Sequence, residues 1–183
     1  MKKAVAAIPV AALLALAACN LPQPQPDTVR HFTLADGVVA APVAGATQVL
    51  PVQVAGHLRR RELAVRVADH EVEYVEDARW AEALDASITQ MLRNRLGTVD
   101  GGATVVVEVQ RCELNRADGN RVELSATYVI RPAGGDPALA RRGAFTATPR
   151  TWDGKDYRKL VDLLHDAVAE LGEAIAAAVA EKK

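Results

Sequence analysis

From Arg121 to Arg131 the chain alternates cleanly. Val122, Leu124, Ala126, Tyr128 and Ile130 fall on one side, and Glu123, Ser125 and Thr127 on the other. Side chains of a strand point alternately to its two faces, so this segment belongs to a sheet with one dry and one wet face. Something apolar has to cover the dry face. Trp80, Leu84, Ile88, Leu92 and Leu96 recur every four residues, with Met91 on the same side and Gly97 as a C-cap, which predicts an amphipathic helix over 80–96. After Asp153, the residues Tyr157, Leu160, Val161, Leu164, Val168, Leu171, Ile175 and Val179 recur at spacings of three and four and predict a terminal helix.

The other segments read as sheet. Residues 30–34 (RHFTL) suggest a short first strand, and residues 47–54 (TQVLPVQV) a second, in which Pro51 marks an edge or a bulge. Residues 63–67 and 71–75 form a hairpin around Ala68, Asp69 and His70, with a basic turn at 56–61 before it. Residues 103–114 are a β-run closed by the ADGN turn at 117–120, and 139–148 are a further strand. Strands, helix, three strands and helix make an α+β fold: a two-layer sandwich, mostly antiparallel, with two amphipathic helices packed on one face. Half the chain is apolar but only 4% is aromatic, so the core is built of Ala, Val and Leu, and a disordered chain is excluded.

The first residues follow a different logic. Lys2 and Lys3 lead an apolar run over 4–18 that is too short to span a bilayer comfortably and ends at Cys19. Leu16, Ala17, Ala18 and Cys19 resemble the bacterial lipobox, in which the cysteine thiol is alkylated by diacylglycerol and the chain is cut just before it. The plainer alternatives are an ordinary signal peptide or an uncleaved anchor. Asn20 stands where an aspartate would signal inner-membrane retention, so sorting to the outer membrane, facing the periplasm, is expected. Residues 1–18 are then a lipoprotein signal peptide, 19–29 a lipidated Pro-rich tether, and 30–183 a single domain. With Cys19 taken by lipid, Cys112 is left alone and no disulfide forms within the chain.

Catalytic vocabulary is sparse. Ser87 and Ser125 lack the setting of a nucleophile elbow, and His31, His57, His70 and His165 are scattered without metal-ligand spacing, so neither a metal nor another cofactor is expected. Cys112 with a distant histidine could form a thiol dyad, but a strand-borne cysteine beside Leu114 reads more simply as packing. The formal charge of −1 turns more negative once Lys2 and Lys3 are removed, which argues against a nucleic-acid partner. Arg59, Arg60 and Arg61 form the one basic run. It reads either as a solvated loop tip, neutralised by Glu71, Glu73, Glu76 and Asp77, or as a surface for a partner or a lipid.

Several segments together resemble the PqiC (YmbA-type) ABC-transport auxiliary lipoprotein family: the lipobox, RHFTL, VLPVQVAGHLRRRELAVRV, and above all ARWAEALDASITQMLRNRL with Arg79, Trp80, Ala81, Glu82, Ala83 and Leu84. His31 and Phe32 replace the usual tyrosine pair, and Glu62 and Leu63 replace the proline that commonly follows the arginine turn. The resemblance implies an outer-membrane lipoprotein without enzymatic activity. It would work with an MCE-domain protein and the ABC-transporter subunits of the inner membrane in moving lipid between membranes and supporting envelope integrity. Trp80 and Leu84 are expected to hold the fold, and exposed sheet edges would allow copies to pair as a homo-oligomer. The competing reading is a lipoprotein regulator or docking factor for cell-wall synthesis enzymes.

Overall fold

The computed structural model describes residues 27–35, 47–97, 102–134 and 137–181. The expected signal peptide, Cys19, Asn20 and most of the expected tether lie outside the described residues. In chain order the elements are β1 (Arg30–Phe32), β2 (Thr47–Val49), β3 (Gln53–Val54), a 3-10 turn (Gly56–Arg59), β4 (Glu62–Ala68), β5 (Glu71–Trp80) and α1 (Leu84–Leu96). Then follow β6 (Ala103–Asn115), β7 (Arg121–Arg131), a 3-10 turn (Pro137–Leu139), β8 (Arg141–Thr146), β9 (Arg150–Thr151) and α2 (Tyr157–Ala180).

The strands form one mixed sheet in the order β1-β5-β4-β6-β7-β8. The long ladders are antiparallel, with eleven paired positions between β6 and β7 and six between β7 and β8. The other edge of β6 is covered piecewise by parallel partners. Thr47–Val49 lies along Ala103, Thr104 and Val105, Gln53–Val54 along Glu108 and Val109, and Val65 and Arg66 along Leu114 and Asn115. One stretch of chain therefore walks the length of β6 in three steps. Pro51, which has no N–H to give a ladder, falls in the first break, and the 3-10 turn fills the second.

A bulge in β6 between Val109 and Arg111 resets its alternation. Val105, Val107 and Val109 are buried before it, and Cys112 and Leu114 after it, against Val122, Leu124, Ala126 and Ile130 of β7. Without the extra residue, one half of β6 would turn its apolar side to water. Both helices pack on this dry face. Leu84, Ile88, Leu92 and Leu96 of α1 and Leu160, Leu164, Leu171 and Ile175 of α2 are almost wholly buried there.

Helix ends are fixed by specific bonds. Asp156 caps α2 by accepting from the Arg158 N–H, and its carbonyl accepts from the Trp152 indole at 2.9 Å while Trp152 stacks on Tyr157. At the end of α1, Gly97 takes a φ of 79°, and the Thr47 hydroxyl donates to the Leu96 carbonyl at 2.9 Å, tying β2 to the helix. Gly172 marks a close approach of the helices, since a Cβ there would stand 3.2 Å from Arg95 Cγ.

One expectation requires correction. The helix predicted over 80–96 begins only at Leu84, and Trp80 is the last residue of β5. Trp80 is registered with Phe32 of β1, and its N–H donates to the Arg61 carbonyl at 2.6 Å. Those two strand partners hold the backbone extended. The four-residue step from Trp80 to Leu84 imitates a helical turn because both side chains, each 3% exposed, enter the same core. The strand expected over 47–54 is likewise split into β2 and β3 at Pro51.

Tyr128 and Gly143 are directly paired across β7 and β8, and a Cβ on Gly143 would collide with the Tyr128 ring. The glycine makes room for an aromatic ring laid over its backbone. Gly143→Ala is expected to displace the ring and destabilise the fold by about 1–2 kcal/mol in urea denaturation, a modest overpacking cost. In a Tyr128→Ala background the same substitution should cost much less.

Candidate functional site

The basic run lies where the chain leaves β3 and has not yet joined β4. The Ala55 N–H donates to the Val109 carbonyl at 2.9 Å, the last rung before the β6 bulge, and the Leu58 N–H then closes the 3-10 turn onto the Ala55 carbonyl at 2.9 Å. Leu58 is 3% exposed and plugs the turn into the core. Arg59 on one side of it is thrown outward, while His57 on the other turns toward the sheet.

Beneath the turn, on the face of the sheet away from the helices, lies a set of linked charges. The side chain of Glu113 has no exposure at all. Its Oε1 accepts from Arg66 Nε at 2.7 Å, and its Oε2 faces His57 Nε2 at 2.9 Å. A carboxylate can only accept, so His57 Nε2 carries the proton of that bond. The Tyr74 hydroxyl donates to the His57 carbonyl at 3.2 Å, so residue 57 is held by both ring and backbone. Beside this group Arg111 and Asn115 both donate to Glu123. Burial pulls the Glu123 carboxyl upward, but those two donors, with the charges of Arg111 and Arg66, outweigh it and hold the group below its ordinary value.

The three arginines separate by role. The Arg60 guanidinium lies 4.3 Å above the centre of the Tyr74 ring, and its Nε donates to Glu62 at 3.2 Å. Arg59 and Arg61 are exposed and form no ion pair or side-chain hydrogen bond among the described residues. The neutralisation expected from Glu71, Glu73, Glu76 and Asp77 is not what the structure holds. Glu73 pairs with Arg116 at 3.3 Å, and the acid that meets the turn is Glu62. Trp80 and Leu84 are buried where β5 gives way to α1.

Other concavities offer less. A cleft of about 350 Å³ on the outer face of β7 is lined by Arg111, Arg121, Glu123, Ser125 and Thr146, but Arg111 is taken by Glu123 and Arg121 by Asp118. A groove of about 170 Å³ between the helices is lined by Met91, Leu92, His165, Val168 and Gly172, and His165 Nδ1 lies 3.0 Å from the Leu34 carbonyl oxygen. Among the described residues no cluster of His, Cys, Asp and Glu is arranged to hold a metal ion. Cys112 is 2% exposed, and burial, helped by the charge of Glu113, pushes its thiol up to about 12. Such a thiol stays protonated and is no nucleophile.

Tyr74 and Glu113 had no place in the sequence reading, and His57 entered it only as one of four scattered histidines. The available signal was Glu113 itself, a carboxylate between Cys112 and Leu114 in a long β-run. Removing it strands Arg66 and His57, so Glu113→Ala is expected to cost about 3–5 kcal/mol in urea denaturation, with Glu113→Gln costing less because an acceptor oxygen remains. Cys112 gives a separate alkaline signature. Its folded pKa lies above the unfolded value, so its contribution is complete below about pH 8.5 and is lost as the unfolded thiol ionises, by up to about 1.4 kcal/mol per pH unit. Stability measured from pH 8 to 10 should fall more steeply in the native chain than in Cys112→Ala.

Residues 32–176 match the family described as ABC-type transport auxiliary lipoprotein component. No functionally curated protein matches the chain. Among solved structures, the crystal structure of an uncharacterized protein superposes with a TM-score of 0.65 at 15% identity, covering 82% of this chain and 97% of the other. Protein XCC0632 from Xanthomonas campestris, of the family DUF330, gives a TM-score of 0.61 at 14% identity, covering 81% of this chain and 90% of its own. At those identities the two likenesses establish the fold. The match over 32–176 spans β5, α1, the whole β6/β7 ladder and all but the last four residues of α2, and the chain belongs to the family of ABC-type transport auxiliary lipoprotein components.

Proposed function

We propose that this protein is a non-catalytic accessory subunit, anchored by lipid on Cys19 to the outer membrane and facing the periplasm. There it serves an inner-membrane ABC transporter and its MCE-domain protein in moving lipid between the membranes and so supports envelope integrity. The observation that carries the reading is the family match over 32–176, with Leu16, Ala17, Ala18 and Cys19 ahead of it as a lipobox. Asn20 directs the sorting. No helix among the described residues is long and apolar enough to cross a membrane, so attachment through acyl chains accounts for membrane residence without a spanning helix.

Surface chemistry supports a docking role. The outer face of the sheet is largely paired with itself, through Glu113 with Arg66 and His57 and through Glu123 with Arg111 and Asn115. Such a surface binds by shape and by a few unspent groups. The outer edge of β8, at one end of the sheet, suits pairing with a second copy.

Cross-linking in intact membranes followed by recovery of the protein should capture an MCE-domain protein or an ABC-transporter subunit. Recovery of cell-wall synthases in their place would favour the regulator reading. Cys19→Ser should abolish labelling by a clickable palmitate analogue, and retained labelling would refute Cys19 as the lipid site.

A further inference from the structure

The turn that carries Arg59 and Arg61 is held more firmly than a solvated tip requires. His57 is fixed through its ring to the fully buried Glu113 and through its carbonyl to Tyr74, Leu58 is sunk in the core, and Arg60 lies flat on Tyr74. Arg59 and Arg61 flank the pinned Arg60, exposed and without ion pairs among the described residues. Each guanidinium offers a planar fork of N–H donors that matches the oxygens of a phosphate. A backbone already fixed loses little freedom when those forks are used.

Strand register locates the turn relative to the tether. The Arg61 carbonyl bonds the Trp80 N–H, Trp80 is registered with Phe32, and Arg79 with both His31 and Glu62. Two strand spacings across the sheet and two residues along it place Arg61 about 12 Å from Arg30, where the chain arrives from its N-terminal side. Residues 19–29 reach at most about 40 Å when fully extended. A domain on that lead is able to bring this edge of its sheet onto the leaflet. Arg30 is held there by Asp156 at 3.2 Å, beside the exposed Lys155 and Arg158 at the start of α2. The exposed acids Glu76, Asp77 and Glu82 interrupt the positive charge, which confines strong contact to the arginine turn.

We propose that Arg59 and Arg61 bind the phosphates of anionic lipid headgroups in the leaflet that holds the anchor, and so fix the orientation of the domain on its membrane. This rests on the tethered reading given above. Arg60 supports the turn and does not take part in the contact.

The test uses the full lipidated protein in vesicles of phosphatidylcholine with or without phosphatidylglycerol. Gly56→Cys carries a bimane label, because Gly56 is exposed and a Cβ there meets nothing within 4 Å, while Cys112 is buried and Cys19 is lipidated under the same reading. Quenching by a headgroup nitroxide lipid reports the distance of the turn from the surface, and flotation of the vesicles reports the anchor. Phosphatidylglycerol should raise the quenching about twofold or more, high salt should reverse it, and R59Q/R61Q should abolish the rise while leaving flotation and thermal stability unchanged. A label at Ala144→Cys on β8 should not respond. Flotation with equal quenching in both vesicles, or with R59Q/R61Q behaving as the native chain, would overturn the headgroup contact alone. Failure of the native protein to float would overturn the tether itself, and the contact with it.

Discussion

A carboxylate withdrawn from water has to be met by donors, and Glu113 is withdrawn completely. Its two partners come from parts of the chain far from it in sequence, His57 before β4 and Arg66 within β4, so the requirement of one side chain brings three segments together. The bulge in β6 makes this arrangement possible. It lets Val105, Val107 and Val109 face the helices before it, Cys112 and Leu114 after it, and sends Glu113 to the opposite face. Apolar burial and polar pairing are thus solved on one strand by one inserted residue.

What the sequence disclosed follows the range of the forces involved. The alternation at Arg121–Arg131 and the spacing in Tyr157–Ala180 are local, and both elements are found where the pattern placed them. Trp80 deceived because a spacing of four is shared by a helix and by a strand that turns into one, and only the distant Phe32 and Arg61 decide between them. The basic run was legible as a run of charge. Its division into one structural arginine and two free ones was not, since that depends on Tyr74 and Glu62 folding back over Arg60.

The same division explains how a chain with few reactive groups can still present a definite surface. Cys112 is shut in the core, and the arginines of the β7 cleft are occupied by acids. On the proposed reading, specificity is left to position: which edge meets the membrane, which faces outward, and which charges remain unpaired. Holding a fixed attitude between a membrane and a larger machine is, on that reading, itself the contribution of such an auxiliary component.

The three-step walk along β6 also has a kinetic consequence. The β6/β7 ladder closes over a short turn and can form early, whereas β2, β3 and β4 must each find β6 from across the intervening helix, closing loops of some tens of residues. The half of the sheet nearest the N-terminus is therefore completed only after β6 has been made. A chain with this topology cannot complete its sheet until β6 has been made, so in a protein read as exported β2 and β3 lack their partner strand while the leading end is threaded through a membrane.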